Sequence, residues 1–242
     1  VVGEMVSILK RSLAIITLLI VGYWLAQGLA GVPFGEDKML VGHYYLQHVK
    51  EQTGAVNAVT AIVVNYRGFD TLGEVTVLFI ASTGVAALLW RKKRERTAKV
   101  EGSVVLTTGA ELLFPFIVMF GAYIFIHGHL TPGGGFPGGA TIATAFLLLY
   151  MAFTIYEIPH KAFEKVEGLA GMSYVLVGLI GLAIGGYFLF DWIWQTWHWG
   201  TDNIGRLFSG GFIPIIYTII GIKVGTELSG IVDNMLKEEV RE

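Results

Sequence analysis

His127–Gly139 reads HGHLTPGGGFPGG and stands between two long apolar runs. Glycine fills five of its last seven positions, and prolines sit at 132 and 137. In a helix, glycine costs about 1 kcal/mol per residue against alanine and proline roughly 3. The reading is therefore a break in helical structure through Gly139. Irregular backbone at membrane depth is tolerated only where protein buries it or water lines it. The stretch is expected to form a Gly-rich re-entrant turn, letting helices pack closely or turning polar backbone toward a cavity.

The surrounding chain belongs in a membrane. It is 54% hydrophobic and 15% charged, where a soluble domain carries about 25% charged residues. A formal net charge of -2 gives no footing for nucleic acid. The absence of cysteine excludes disulfides, iron–sulfur clusters and cysteine zinc sites. A spanning helix needs about 20 mostly apolar residues. Ser12–Gly31, Leu72–Trp90, Val104–Ile126, Leu169–Phe190 and Phe212–Ile231 qualify, and Gly139–Tyr156 is a shorter sixth. The first run is read as a span rather than a signal peptide, being long and without a small-residue cleavage site.

Lys and Arg favour cytoplasmic loops. With six crossings, Lys10, Arg11, the run RKKRERTAK (Arg91–Lys99), Lys161, Lys165, Lys237 and Arg241 share one side. Both termini are therefore placed in the cytoplasm. Thr53–Tyr66 is apolar but too short to cross, and reads as a half-helix or interfacial segment. Asp191–Gly200 (DWIWQTWHWG) reads as interfacial tryptophan anchoring. The basic run marks a boundary between a two-helix segment, 1–100, and a four-helix domain, 101–242. The expected fold is an all-α integral membrane protein with six transmembrane helices, a short half-helix and the glycine turn.

Charges inside spans are expensive and become functional hypotheses. Lys223 lies mid-run in IPIIYTIIGIKVGTELSG, and Glu227 follows on the same helix face. The pair either locks helices together or serves an ion path. Asp70 and Glu74 are also four apart. Asp70, with Thr71, suits the N-cap or first turn of a helix. Glu74 is a turn deeper, with Arg67 as a nearby cation, and could exchange a proton or Na⁺. His127 and His129 could relay protons or simply pin the glycine loop; no third metal ligand accompanies them. Glu111 could face the bundle interior or the cytoplasmic interface. His43, His48 and His160 are read as loop residues. No P-loop, G-x-S-x-G, H-E-x-x-H or C-x-x-C occurs, so no catalytic residues are assigned.

Two stretches resemble a known family. Gly128–Ala140 (GHLTPGGGFPGGA), Phe114–His127 (FPFIVMFGAYIFIH) and Gly211–Leu228 (GFIPIIYTIIGIKVGTEL) resemble the B subunit of Mrp-type multisubunit Na⁺/H⁺ antiporters. That likeness runs from Val104 to the C-terminus. Asn57–Leu89 (NAVTAIVVNYRGFDTLGEVTVLFIASTGVAALL) resembles the C-terminal end of the large A subunit. Related modules occur in archaeal membrane-bound hydrogenase and sulfur-reducing complexes. The resemblance implies a subunit of a large complex in a prokaryotic cell membrane, coupling sodium to proton movement or to electron transfer elsewhere. Its partners would be other membrane subunits, the lipid bilayer and a hydrogenase or sulfur-reductase arm, with no cofactor of its own and Na⁺ as the candidate transported ion. It marks Arg67, Asp70, Thr71, Glu74, His127, His129, Pro132, Gly133, Gly134, Gly135, Phe136, Gly138, Gly139 and Lys223. The chain departs from the family in joining the two parts. It also has Asn65 where an acidic residue is common and Pro137 where Gln is frequent. A structural adaptor that bridges pumping subunits to a redox arm, carrying no ion, is the rival reading.

Overall fold

Helices account for nearly all of the computed structural model, which describes residues 2–31, 39–89, 102–153, 156, 158–197, 204–207 and 209–239. The basic run Arg91–Lys99 lies outside the described residues. Among the described residues, six helices are long and apolar enough to cross a membrane: Leu9–Ala30, Gly68–Leu88, Val104–Ile126, Gly135–Ala152, Lys161–Gly185 and Ile213–Met235. The protein is an all-α, multi-pass membrane protein.

The chain divides into two units, Val1–Gly42 and His43–Glu242. The first contains α1 (Val2–Ala30), a single apolar helix whose span has no buried residue. In the second unit the organising element is α9 (Ile213–Glu239). It packs against α4 (Gly68–Leu88), α5 (Val104–Ile126), α6 (Gly135–Ala152) and α7 (His160–Gly185). Ile213, Ile216, Tyr217, Ile220 and Val224 of α9 meet Phe125, Tyr174, Leu189 and Phe212 in one core.

Several boundaries differ from expectation. Gly135–Gly139 is helical, although its composition predicts a break. Gly135 and Pro137 lie in the first turn of α6, where backbone N–H groups have no intrahelical acceptor and proline loses nothing. Tertiary packing supplies the rest. A methyl group on Gly138 would stand 2.7 Å from the Gly121 carbonyl oxygen, and one on Gly139 would stand 2.7 Å from that of Gly221. Three helices therefore meet backbone to backbone at these glycines. The break falls earlier, at Gly134, whose φ of 135° suits only glycine.

The span expected at Leu169–Phe190 runs instead as α7, ending at Gly186 in the left-handed conformation. The chain then doubles back, placing Phe188 against Gly178 and Phe190 against Gly185. Leu40–Thr53 forms α2, so His43 and His48 are helical, and His160 opens α7. α2 shows the amphipathic spacing expected of a half-buried helix: Val49 and Thr53 are buried, and Tyr45 and Gln52 partly so. The segment that follows is a short helix, α3 (Ala58–Ala61), running into a π-helical turn, Ile62–Tyr66. Trp192–Trp197 forms α8.

Candidate functional site

Two segments distant in sequence hold the glycine loop. Asn57 caps α3, its side-chain oxygen accepting from the Val59 and Thr60 amides. The same side chain donates to the Gly128 and Thr131 carbonyls, each at 3.0 Å. Thr60 Oγ1 donates to the Gly128 carbonyl at 2.6 Å, and the Val56 and Asn57 amides both donate to the His129 carbonyl at 3.0 Å. His129 is fully buried. Its Nε2 faces the Arg206 carbonyl at 3.4 Å, and its Nδ1 has no hydrogen-bond partner among the described residues. Burial pushes the imidazole pKa below its ordinary value. His127 is only half-buried and stacks on Tyr123. Pro132 is exposed at the loop tip, and Gly133 packs under the Ile124 carbonyl. Phe136 packs against the main core.

The tryptophan segment does more than anchor. Trp194 Nε1 and Gln195 Nε2 donate to the Glu51 and Gln52 carbonyls at 2.8 and 2.9 Å. These are carbonyls that the end of α2 leaves without helical donors. Tyr66, its phenol pushed up to about 12 chiefly by burial, donates to the Gln52 side chain. Asp191 caps α8 by accepting from the Trp194 amide at 3.0 Å, and it also accepts from the Phe212 amide at 3.3 Å. It is buried with Oδ2 unpaired among the described residues, and burial lifts its pKa to about 7. Asn65, standing where the resembled family commonly has an acid, is buried and donates to the Leu189 carbonyl.

Mid-span, Lys223 and Glu227 form the expected ion pair along α9. Both are buried. A third group, Glu167 of α7, stands 3.8 Å from the Lys223 ammonium, and the Phe79 ring of α4 lies 5.2 Å from it. Glu227 Oε2 has no hydrogen-bond partner among the described residues. Toward the other end of α9, Tyr150 of α6 donates to buried Asp233 at 2.6 Å. Sequence spacing exposes the Lys223–Glu227 pair. It cannot expose Glu167, which reaches the cluster only through the α7–α9 packing.

At the start of α4, Arg67 pairs with Asp70, not with Glu74 as its sequence position suggested. Asp70 lies in the first turn and makes no side-chain cap. Thr71 instead donates to the Val63 carbonyl, which lies in the π-helical turn. Glu74 and, on α5, Glu111 are both exposed at the surface of the chain. The structure thus gathers Lys223, Glu227 and Glu167 into one internal cluster. Among the sequence candidates, Arg67 and Asp70 pair at the surface, Glu111 is exposed, and Glu74 is exposed yet within electrostatic reach of the buried Tyr174 and Tyr217 phenols.

The comparisons with known proteins divide the chain near the basic run. Residues 105–230 match the family described as "Domain related to MnhB subunit of Na+/H+ antiporter". Residues 10–104 match the MbhE family, a component of MBH. A protein of Methanocaldococcus jannaschii described as uncharacterized is 30% identical over 244 residues, covering 91% of this chain and 90% of its own length. In the structure of the membrane-bound sulfane sulfur reductase, an archaeal respiratory membrane complex, one chain is 86% identical, with a TM-score of 0.79 over 94% of this chain and 98% of that one. A chain of the Mrp complex from Dietzia sp. DQ12-45-1b shares the fold at 23% identity, with a TM-score of 0.67. It matches 93% of this chain but only 26% of its own length. The chain belongs to the family of domains related to the MnhB subunit of Na⁺/H⁺ antiporters, which is joined here to a segment that matches the MbhE family model.

Proposed function

We propose that this chain is a non-catalytic membrane subunit of a multisubunit Na⁺/H⁺ antiporter module, contributing to a sodium or proton path. The module would work within a respiratory complex bearing a sulfur-reductase or hydrogenase arm. Family membership and the likeness to a chain of the sulfane sulfur reductase complex support the setting. Its partners would be the neighbouring membrane subunits and the bilayer of a prokaryotic cell. The placing of Lys and Arg supports cytoplasmic termini. We assign it no cofactor, with Na⁺ as the transported ion.

The observation that carries the reading is the Glu167–Lys223–Glu227 cluster. Two carboxyl groups share one ammonium, so full ionisation leaves one negative charge uncompensated in the membrane interior. An added proton or Na⁺ neutralises it, and a buried charge left unpaired is strongly unfavourable. Such a site suits cation exchange, because its occupant can be replaced by another of equal charge. Glu74, exposed on α4, would pass the ion to or from a neighbouring subunit or water. The Arg67–Asp70 pair would set the field beside it. The His127–His129 loop would gate or hydrate the non-cytoplasmic side.

The test is sodium-dependent transport by the intact complex in liposomes, comparing wild type with Glu227→Gln and Glu74→Gln. Native gels check assembly. Lost transport in assembled complexes supports the path, whereas unchanged transport in both variants removes it. One observation favours the adaptor reading instead: the glycines of the loop and of α6, Gly133 against the Ile124 carbonyl among them, form a closely packed joint. In that case Gly133→Ala breaks assembly while both carboxyl variants transport normally.

A further inference from the structure

Glu111 has no place in the internal cluster or the glycine loop. It lies seven residues into the span Val104–Ile126, and its side chain is exposed. At about 1.5 Å per residue, it is roughly 10 Å along the helix from the start of that span. The glutamate side chain is too short to carry its carboxyl that far to the interface, unlike a snorkelling lysine. Among the described residues no side chain forms an ion pair or hydrogen bond with it.

A second feature falls on the same turn. Pro115 lies inside α5, four residues beyond Glu111. Proline has no N–H, so the Glu111 carbonyl loses the donor that a regular helix would give it. One outward turn of the span therefore presents a carboxyl and a main-chain carbonyl that both want donors. Thr108, one turn back, is exposed as well. Around them the face is apolar and exposed: Leu112, Phe116, Met119 and Phe120. The opposite face, with Ala110, Gly121 and Phe125, is buried within the unit. Lipid tails can satisfy neither acceptor.

We propose that the outward face of α5 at Glu111 docks a membrane-spanning helix of another subunit, which carries a lysine or arginine at that depth. The proposal rests on the reading of this chain as one subunit of a larger membrane assembly. An ammonium or guanidinium supplies several donors at once, enough for the carboxyl and the freed carbonyl together. The charge-assisted bond to the carboxyl fixes the depth at which the two helices meet. The surrounding apolar side chains supply the packing.

A photo-crosslinking amino acid placed at Leu112 in the intact complex tests this. Irradiation should join this chain to one membrane subunit, at a span bearing a basic residue. Glu111→Leu should abolish that product, and Glu111→Gln should weaken it. Glu111→Lys combined with an acidic replacement of the partner's basic residue should restore it. Crosslinking to lipid alone, to a span without a basic residue, or unchanged in Glu111→Leu overturns the proposal. Sodium-dependent transport measured on the same preparations separates the two readings: transport that persists with lipid-only crosslinks leaves the subunit function standing and removes only the docking face.

Discussion

α4 and α9 are both apolar spans that carry acidic groups, yet they handle them in opposite ways. Half of the α9 span is buried inside the chain, against 11% for α4. On α9 the carboxyl of Glu227 and the ammonium of Lys223 turn inward, where they meet each other and Glu167. On α4 the Arg67–Asp70 pair and Glu74 stay at the chain surface. One helix gathers its charged groups within the subunit, and the other leaves them open to what surrounds it. Hydropathy does not distinguish the two, because the distinction lies in which neighbours each helix has.

The largest effect should come from breaking the internal cluster. Lys223→Met leaves two carboxyl groups in a buried site with no cation, which typically costs about 3–5 kcal/mol. Thermal unfolding of the detergent-solubilised protein should show a large loss. Lys223→Met with Glu227→Leu should recover most of it, because the remaining Glu167 is partly exposed. If the single and double variants fall equally, the cluster does not act as a coupled unit.

Next in size is the joint that holds α9 in place. Gly139→Val puts a branched side chain against the Gly221 carbonyl and the Val224 side chain. Overpacking of this kind costs about 1–3 kcal/mol, and the clash is with backbone that cannot rotate aside. Gly73, on α4, has open space around its would-be side chain. Gly73→Ala should therefore leave unfolding of the isolated chain unchanged or slightly later, as the helix-propensity gain implies.

These sites also mark how far the sequence could be read. The six spans follow from apolar length, and the Lys223–Glu227 pair from its spacing along one helix. The helical Gly135–Gly139 does not, since propensity argues against it and only three helices in close approach favour it. Glu167 is invisible for a similar reason: it lies near the start of α7, where it reads as one charge among several. Leu40–Thr53 is too polar to stand out as a span. Its exposed C-terminal carbonyls are met by Trp194 and Gln195, more than a hundred residues away. The tryptophan segment read as an interfacial belt, which concealed Asp191 as a buried cap.

Asp191 offers a graded test at the point where the chain enters α9. Its folded pKa of about 7 lies above the ordinary aspartate value of 3.8. Between those limits the folded chain keeps a proton that the unfolded chain releases. The stability that Asp191 contributes should therefore fall as pH rises from about 4 to about 7, and level off above. Burial lowers the His129 pKa, which adds a slope of the opposite sign because the unfolded imidazole takes up protons more readily than the folded one, while the Tyr187 phenol, its pKa raised, stays neutral throughout. Asp191→Asn keeps a side-chain oxygen for the Trp194 and Phe212 amides but cannot ionise. Unfolding followed across pH should lose this component of the slope in the variant. An identical slope in both proteins would assign it to other groups.

The smallest effect belongs to α4, and its smallness is the point. Arg67 and Asp70 are 63% and 51% exposed, and exposed pairs contribute about 0–1 kcal/mol. Arg67→Gln should barely change unfolding of the isolated chain, in contrast to Lys223→Met. Within the assembled complex the same substitution acts on whatever lies against α4, because the pair stands one turn from Glu74. A transport defect there, beside near-normal unfolding of the isolated chain, would mean that α4 does its electrostatic work across a subunit boundary. A large stability loss in the isolated chain would instead place Arg67 among the internal contacts, and the contrast between the two helices would fail.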